Sequence, residues 1–236
     1  MPPSPQPVAQ GGVALWHGVL VESQPGRSEE SARPIGVGPW FGLCPTGPGY
    51  DHELLELGDR RNVADRFRYR TVESIAAELA EQAHPLHVAI ENWQHDFNIG
   101  SVVRTANAFN VASVRIVGQR RWNRRGAMMT EQYLNVVHHS DVADLELWAR
   151  TEQLPLIGVD NVPGSVALET EALPRACVVV FGGEALGLTP EALAACRRVV
   201  AITQFGSTRS INAGAAAAIV MHAWARHHVF GQKPTG

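Results

Sequence analysis

Two glycine-rich turns in the last third of the chain hold the residues best placed for chemistry. Gly182-Gly183-Glu184-Ala185-Leu186-Gly187-Leu188 follows the apolar run Val178 to Phe181. Gln204 to Ser210 follows Val199 to Thr203 and leads into Ile211-Asn212-Ala213-Gly214. Each turn closes one apolar run and opens one helical pattern, an arrangement that puts both on the same edge of a sheet. Glycine lets a ligand approach bare backbone. A small molecule could therefore be held by main-chain groups, with Glu184, Ser210 and Asn212 as the polar side chains that select it. A second kind of chemistry lies in the arginines. Arg120, Arg121, Arg124 and Arg125 surround Trp122, and Arg60, Arg61, Arg66, Arg68 and Arg70 are interleaved with Phe67 and Tyr69. Guanidinium groups beside aromatic rings suit phosphate contact with base stacking. The alternative for each is a solvated loop, the earlier one paired with its own Asp59 and Asp65, and nucleic-acid contact is favoured for the later.

Gly182 to Leu188, with Ile202-Thr203-Gln204-Phe205-Gly206 and Ser210-Ile211-Asn212, resembles the second and third signature motifs of the SpoU (TrmH-type) branch of the SPOUT RNA methyltransferases. The first motif, Asn-x-Gly-x-x-x-Arg, is matched by Asn98-Ile99-Gly100-Ser101-Val102-Val103-Arg104. Alone, an asparagine before an apolar run is most simply a helix cap; the downstream motifs favour a functional reading. The resemblance covers roughly residues 86–228. It implies an S-adenosyl-L-methionine-dependent enzyme that methylates a ribose 2′-hydroxyl of tRNA or rRNA, a homodimer, and a deep trefoil knot at about 177–224. By position it implies catalytic roles for Asn98, Arg104, Glu184, Ser210 and Asn212, and cofactor contacts from Gly182, Ile202 and Ile211, with Leu188 and Gly206 nearby. Departures are Gly183 where asparagine is usual, Ala185 where a second glycine is common, and Ala213-Gly214 in place of Val-Ser. The alternative is a non-catalytic RNA-binding or cofactor-sensing member of the same fold. An ordinary α/β metabolic enzyme is a third reading, distinguished by indifference to RNA.

The elements that must position these residues follow from pattern. Leu86 to Glu91, Ser113 to Val117, Val136 to His138 and Leu156 to Asp160 read as strands. A helix runs from about Asn98 to Phe109, a second from an Asp141 cap to about Arg150, and a third starts at Thr189-Pro190-Glu191. Strand and helix alternating in this way predict an α/β fold, a mainly parallel sheet with helices on both faces. Ahead of it, Thr71 caps a helix through Glu81. Three regions result: residues 1–50, rich in proline and glycine, a flexible or loosely draped arm or sequence ahead of the true start; 51–85, a basic and helical extension; and 86–230, the methyltransferase domain.

Composition sets bounds. The 236 residues are 45% hydrophobic and 18% charged, enough for one sizeable core. The net charge of −3 speaks against indiscriminate nucleic-acid binding, yet nearly every cation is arginine and the arginines cluster. No apolar run is long enough to span a membrane and the N-terminus lacks a signal-peptide pattern, so a soluble, cytoplasmic protein is expected. Cys44, Cys177 and Cys196 lack CxxC spacing, and the adjacent pairs His138-His139 and His227-His228 diverge on a regular element, so no metal is expected. Neither a Gly-x-Ser-x-Gly elbow nor a Gly-x-Gly-x-x-Gly turn is present.

Overall fold

Cys177 to Phe181 is apolar at every position, as a strand covered on both faces must be, and it lies in the middle of the sheet. The computed structural model describes residues 36–93, 98–183 and 186–232. Its seven strands are β1 (His84–Asn92), β2 (Val111–Gly118), β3 (Val136–His139), β4 (Leu156–Val159), β5 (Val166–Ala167), β6 (Cys177–Phe181) and β7 (Arg198–Ala201). Their order is β3-β2-β1-β6-β4-β7-β5, and each neighbouring pair is parallel. Ile90 is in register with Ile116 and with Phe181, and Val159 with Phe181 and Val200. The turns that leave β1, β2, β4, β6 and β7 therefore emerge along one edge, where open α/β sheets bind ligands.

Helices cover both faces. On one side α3 (Ile99–Ala108) and α6 (Ala213–His228) bury Ile99, Val102, Val103, Val220, Met221 and Trp224 against Val88, Ile90 and Val179. Alternate residues of the same strands, Ala89, Val178 and Val180, face Val142, Leu145 and Ala149 of α4 (Val142–Thr151) and Ala192 of α5 (Pro190–Ala195). Each fully buried valine, leucine or isoleucine contributes about 1.5–3 kcal/mol. The caps are those the sequence predicts: Thr71 for α2 (Val72–Glu81), Asp141 for α4 and Thr189 for α5 each accept a bond from a backbone N–H of the first turn. Two elements lie outside the expected pattern: α1 (His52–Leu57), which Asp51 caps by accepting from Glu53 and Leu54 N–H, and the two-residue β5. β7 stops at Ala201 rather than Thr203.

Residues 36–81 pack on this body through Phe67, Ile75 and Tyr133. The carboxylate of Asp59 is their centre. It is wholly buried, forked by the Arg61 guanidinium and bonded by the Tyr69 N–H. Burial works to raise its pKa, and these bonds outweigh burial and hold it below the usual carboxylate value. Residues 36–50 of the segment read as an arm are draped on this unit: Val37 exchanges backbone bonds with Asp59, Trp40 N–H donates to Leu55, and Thr71 N–H donates to Gly49. Residues 1–35 lie outside the described residues.

Candidate active site

The N-termini of α3 and α6 meet at the ligand-binding edge. Asn98 occupies the N-cap position of α3, but its side chain makes no capping bond there. Its Oδ1 instead accepts from Asn212 Nδ2 at 2.8 Å. Asn212 caps α6 through its own Oδ1, which accepts from Ala215 N–H at 3.2 Å. Close approach depends on missing side chains. A Cβ at Gly214 would fall 2.4 Å from Ser101 Oγ, and one at Gly100 would fall 2.8 Å from Gly126 N. Asn98 and Asn212, from the first and third motifs, are thus brought together. Arg104 lies farther along α3, exposed, with no side-chain hydrogen bond or ion pair among the described residues. Ser210 is exposed, and its carbonyl accepts from the Thr208 hydroxyl. Glu184 lies outside the described residues.

The turn after β6 is folded on itself. Gly187 N–H donates to Gly183 O at 3.0 Å, and a Cβ at Gly182 would stand only 1.9 Å from the Gly187 carbonyl carbon. Gly182 is therefore required by the turn's own backbone, whatever ligand binds. Leu188 is buried in the core against α4 and α5. Two acids that the motifs do not include hold this turn. Asp160 Oδ2 accepts from Leu188 N–H at 2.8 Å. Glu91, fully buried, accepts from Thr189 N–H at 2.9 Å, from Thr189 Oγ1 at 2.7 Å and from Trp93 Nε1 at 2.9 Å. Each has a signal in the sequence, a carboxylate at the C-terminal end of an otherwise apolar strand.

The turn after β7 is more open. Ile202 packs on the core and Ile211 is half-buried, whereas nothing lies within 4 Å of a Cβ built at Gly206. Glu169 anchors the start of the turn by accepting from Thr203 N–H and Oγ1 at 3.1 and 2.8 Å. From Gln204 to Ile211, no backbone N–H donates a hydrogen bond among the described residues, and Gln204 Oε1 is buried without a partner. Residues Phe205 to Ser210 are exposed, so their N–H groups are open to solvent or to a ligand.

The arginine-rich turn borders the same edge. Asn92 Nδ2 donates to the carbonyls of Gln119 and Arg121 at 2.7 and 2.8 Å. Arg120, Arg121, Arg124 and Arg125 are exposed, and the Arg124 guanidinium lies 5.5 Å from the centre of the half-buried Trp122 ring. The earlier arginines divide. Arg61 and Arg68 bond to Asp59 and to backbone carbonyls, and Arg70 pairs with Glu78. Arg60 and Arg66 remain exposed. Internal pairing thus accounts for Arg61, Arg68 and Arg70, whose side chains hold the residue 36–81 unit together.

No group of three or more His, Cys, Asp or Glu suited to a metal occurs among the described residues. Burial pushes the Cys177 and Cys196 thiols up to about 12, helped at Cys196 by the Glu91 charge, which leaves both unreactive. Among the described residues, no helix is long and apolar enough to cross a membrane.

Comparison with known proteins places this arrangement. The tRNA (guanosine(18)-2′-O)-methyltransferase of Escherichia coli is 24% identical over 151 residues, 63% of this chain and 66% of the relative. An uncharacterized tRNA/rRNA methyltransferase of Mycolicibacterium vanbaalenii is 30% identical over 168 residues, 68% of this chain and 52% of the relative. The chain thus spans just under two thirds of the first and about half of the second. Among solved structures, the SpoU methyltransferase AviRb from Streptomyces viridochromogenes has a TM-score of 0.58 at 21% identity, covering 63% of this chain and 62% of that one; it has also been solved with the cofactor AdoMet. The TrmH/SpoU tRNA modifying enzyme of A. aeolicus has a TM-score of 0.58 at 19% identity, covering 70% of this chain and 89% of that one. Residues 85–222, which contain the joined asparagines and both turns, match the SpoU rRNA Methylase family, and the chain belongs to it.

Proposed function

We propose that this protein transfers a methyl group from S-adenosyl-L-methionine to a ribose 2′-hydroxyl of tRNA or rRNA. The observation that carries the reading is the Asn98–Asn212 hydrogen bond, which joins two motifs at the edge where the strands end, on the helix that also carries the exposed Arg104. The turn from Ile202 to Ile211 would hold the cofactor, because its backbone N–H groups from Gln204 onward make no hydrogen bond among the described residues and Gly206 leaves room for close approach. The folded turn from Gly182 to Leu188, braced by Asp160 and Glu91, would form the opposite wall. When bound, the cofactor supplies a methyl group on a sulfonium, so the protein's task is mainly positioning and proton removal.

Arginine donates hydrogen bonds and accepts none. Arg104 is therefore assigned to gripping an RNA phosphate and orienting the hydroxyl, whose proton leaves to that phosphate or to water. Asn98 and Asn212 lend directional bonds at the same place, with Ser210 and Glu184 completing the polar set. Arg120, Arg121, Trp122, Arg124 and Arg125 extend the RNA-binding face, with Arg60 and Arg66 as further exposed cations. The family resemblance supports three further features: a trefoil knot at about 177–224, a homodimer and a cytoplasmic setting.

The test is transfer of tritium from labelled cofactor into total tRNA and ribosomal RNA, by wild type and Arg104→Ala. Wild type should label RNA at the ribose. Because Arg104 is exposed and its side chain makes no bond among the described residues, the variant should lose about 10²- to 10³-fold in transfer, with cofactor affinity within a few-fold. Full activity in the variant removes Arg104 from the mechanism, and no transfer to any RNA by wild type defeats the reading.

A further inference from the structure

We propose that Trp93 is a stacking platform for an unpaired base of the bound RNA. The proposal deepens the RNA-methyltransferase reading and rests on it.

The pose of this residue is fixed at three points, two on the side chain and one on the main chain. Its Nε1–H donates to Glu91 Oε1 at 2.9 Å. Its carbonyl accepts from Gln119 Nε2 at 2.6 Å. Its six-membered ring lies on Gly118, where a Cβ would stand 2.8 Å from Cε3 and where φ is +102°. Glycine there lets the indole sit directly on the end of β2.

Despite these ties Trp93 is 41% exposed. A tryptophan serving the core alone is normally driven there by the large area it buries. Here the polar N–H is satisfied inside the protein while about two fifths of the residue remains exposed to solvent. Such a surface is rigid, loses little entropy on contact and needs no new hydrogen bond. A flat, apolar, unpaired partner fits it.

The surrounding charge identifies that partner. Asn92, the preceding residue, bonds the carbonyls of Gln119 and Arg121. The indole therefore stands at the root of the turn that exposes Arg120, Arg121, Arg124 and Arg125. Phosphate-gripping cations beside a fixed aromatic ring are the combination that binds single strands. A duplex keeps its base faces stacked, so the matching substrate is a looped or single-stranded segment. Glu91 also holds Thr189, so one buried carboxylate sets the ring's position relative to the turn after β6.

The test compares wild type, Trp93→Ala, Trp93→Leu and Trp93→Phe by fluorescence anisotropy. The probes are labelled oligouridylate, an abasic strand of the same length and an RNA duplex; calorimetry with S-adenosyl-L-methionine runs alongside. The leucine variant keeps apolar packing on Gly118 and removes the π-face. Alanine and leucine should weaken oligouridylate binding about 5- to 150-fold, with phenylalanine retaining most of the affinity. On abasic and duplex probes all four proteins should agree, and cofactor affinity should be unchanged. The proposal is overturned by unaltered oligouridylate binding in the leucine variant, by an equal loss on the abasic strand, or by a loss confined to cofactor binding, which would put the indole against the cofactor. Failure of wild type to bind any RNA overturns the underlying reading as well; the other outcomes leave it standing.

Discussion

Asn98 and Asn212 stand 114 residues apart in sequence and share a hydrogen bond of 2.8 Å between their side-chain amides. Asn212 also caps α6, so Asn212→Ala removes both this bond and the cap and should cost about 1–2 kcal/mol of stability. Asn98→Ala should cost less. In a double-mutant cycle by urea denaturation, the pair should couple by about 0.5–1.5 kcal/mol, and each single variant should lose methyl transfer. Strict additivity would show that the bond joins the helices without stabilising the site.

Gly182 and Gly206 lie in the two proposed cofactor turns and should respond differently to the same change. Gly182→Ala forces a methyl group to within 1.9 Å of the Gly187 carbonyl carbon, so the turn must be rebuilt. It should lower the melting temperature and weaken cofactor binding by tenfold or more, on the order of the 1–3 kcal/mol of a moderate strain defect. Gly206→Ala meets nothing within 4 Å and should leave the melting temperature unchanged. Equal melting temperatures for the two variants would contradict the crowding at Gly182.

The two arginine clusters should separate in a salt titration. Replacing Arg120, Arg121, Arg124 and Arg125 by alanine should flatten the dependence of RNA affinity on salt by up to about 0.7 for each phosphate left without its cation, with stability nearly unchanged. Arg61→Ala should do the reverse. It removes the guanidinium that forks the buried Asp59 carboxylate, leaving Arg68 at 3.9 Å and the backbone N–H groups of residues 61 and 69, and should destabilise by about 1.5–3 kcal/mol. An unaltered salt slope in the quadruple variant would make that turn a solvated surface.

His87 supplies a stability change with a defined sign. Burial, reinforced by the Arg115 charge, pushes its pKa down to about 4. Between pH 6.5 and 4 the unfolded chain binds a proton there that the folded chain refuses, so stability falls as pH falls through this window. The loss approaches about 3 kcal/mol at its lower end. His139 is shifted in the same direction, chiefly by burial, and adds to the slope. His87→Phe should therefore show a shallower fall in urea stability from about pH 7 to about 4.5 than wild type. Parallel curves would place a charged imidazole in the fold.

Much of this arrangement is legible in the sequence because it is written locally. Thr71, Asp141 and Thr189 cap the helices they are expected to cap, since a cap involves only the next few residues. Asn98 has the same local signature and does something else, because its partner lies on a distant helix. The same limit applies to Arg61, Arg68 and Arg70. An arginine that braces a buried Asp59 looks in sequence like one offered to a phosphate. Glu91 and Asp160 are obscure for the opposite reason. Each looks like the polar end of a strand, and only the folded turn between Gly182 and Leu188 shows what they hold. Strand order is not legible either, since every buried parallel strand has the same apolar texture.

The position of β6 has a consequence for synthesis of the chain. Its two partners in the sheet, β1 and β4, are both complete by Val159, and the strand that joins them ends at Phe181. Until that stretch has left the ribosome, each partner presents an unsatisfied row of amides and carbonyls, open to pairing with another chain. Contacts spanning this much sequence also form slowly. The other partner of β4 is β7, which comes later still, so the nascent protein passes through a stage with one edge of β1 and both edges of β4 open, and its yield should depend on how soon β6 joins them.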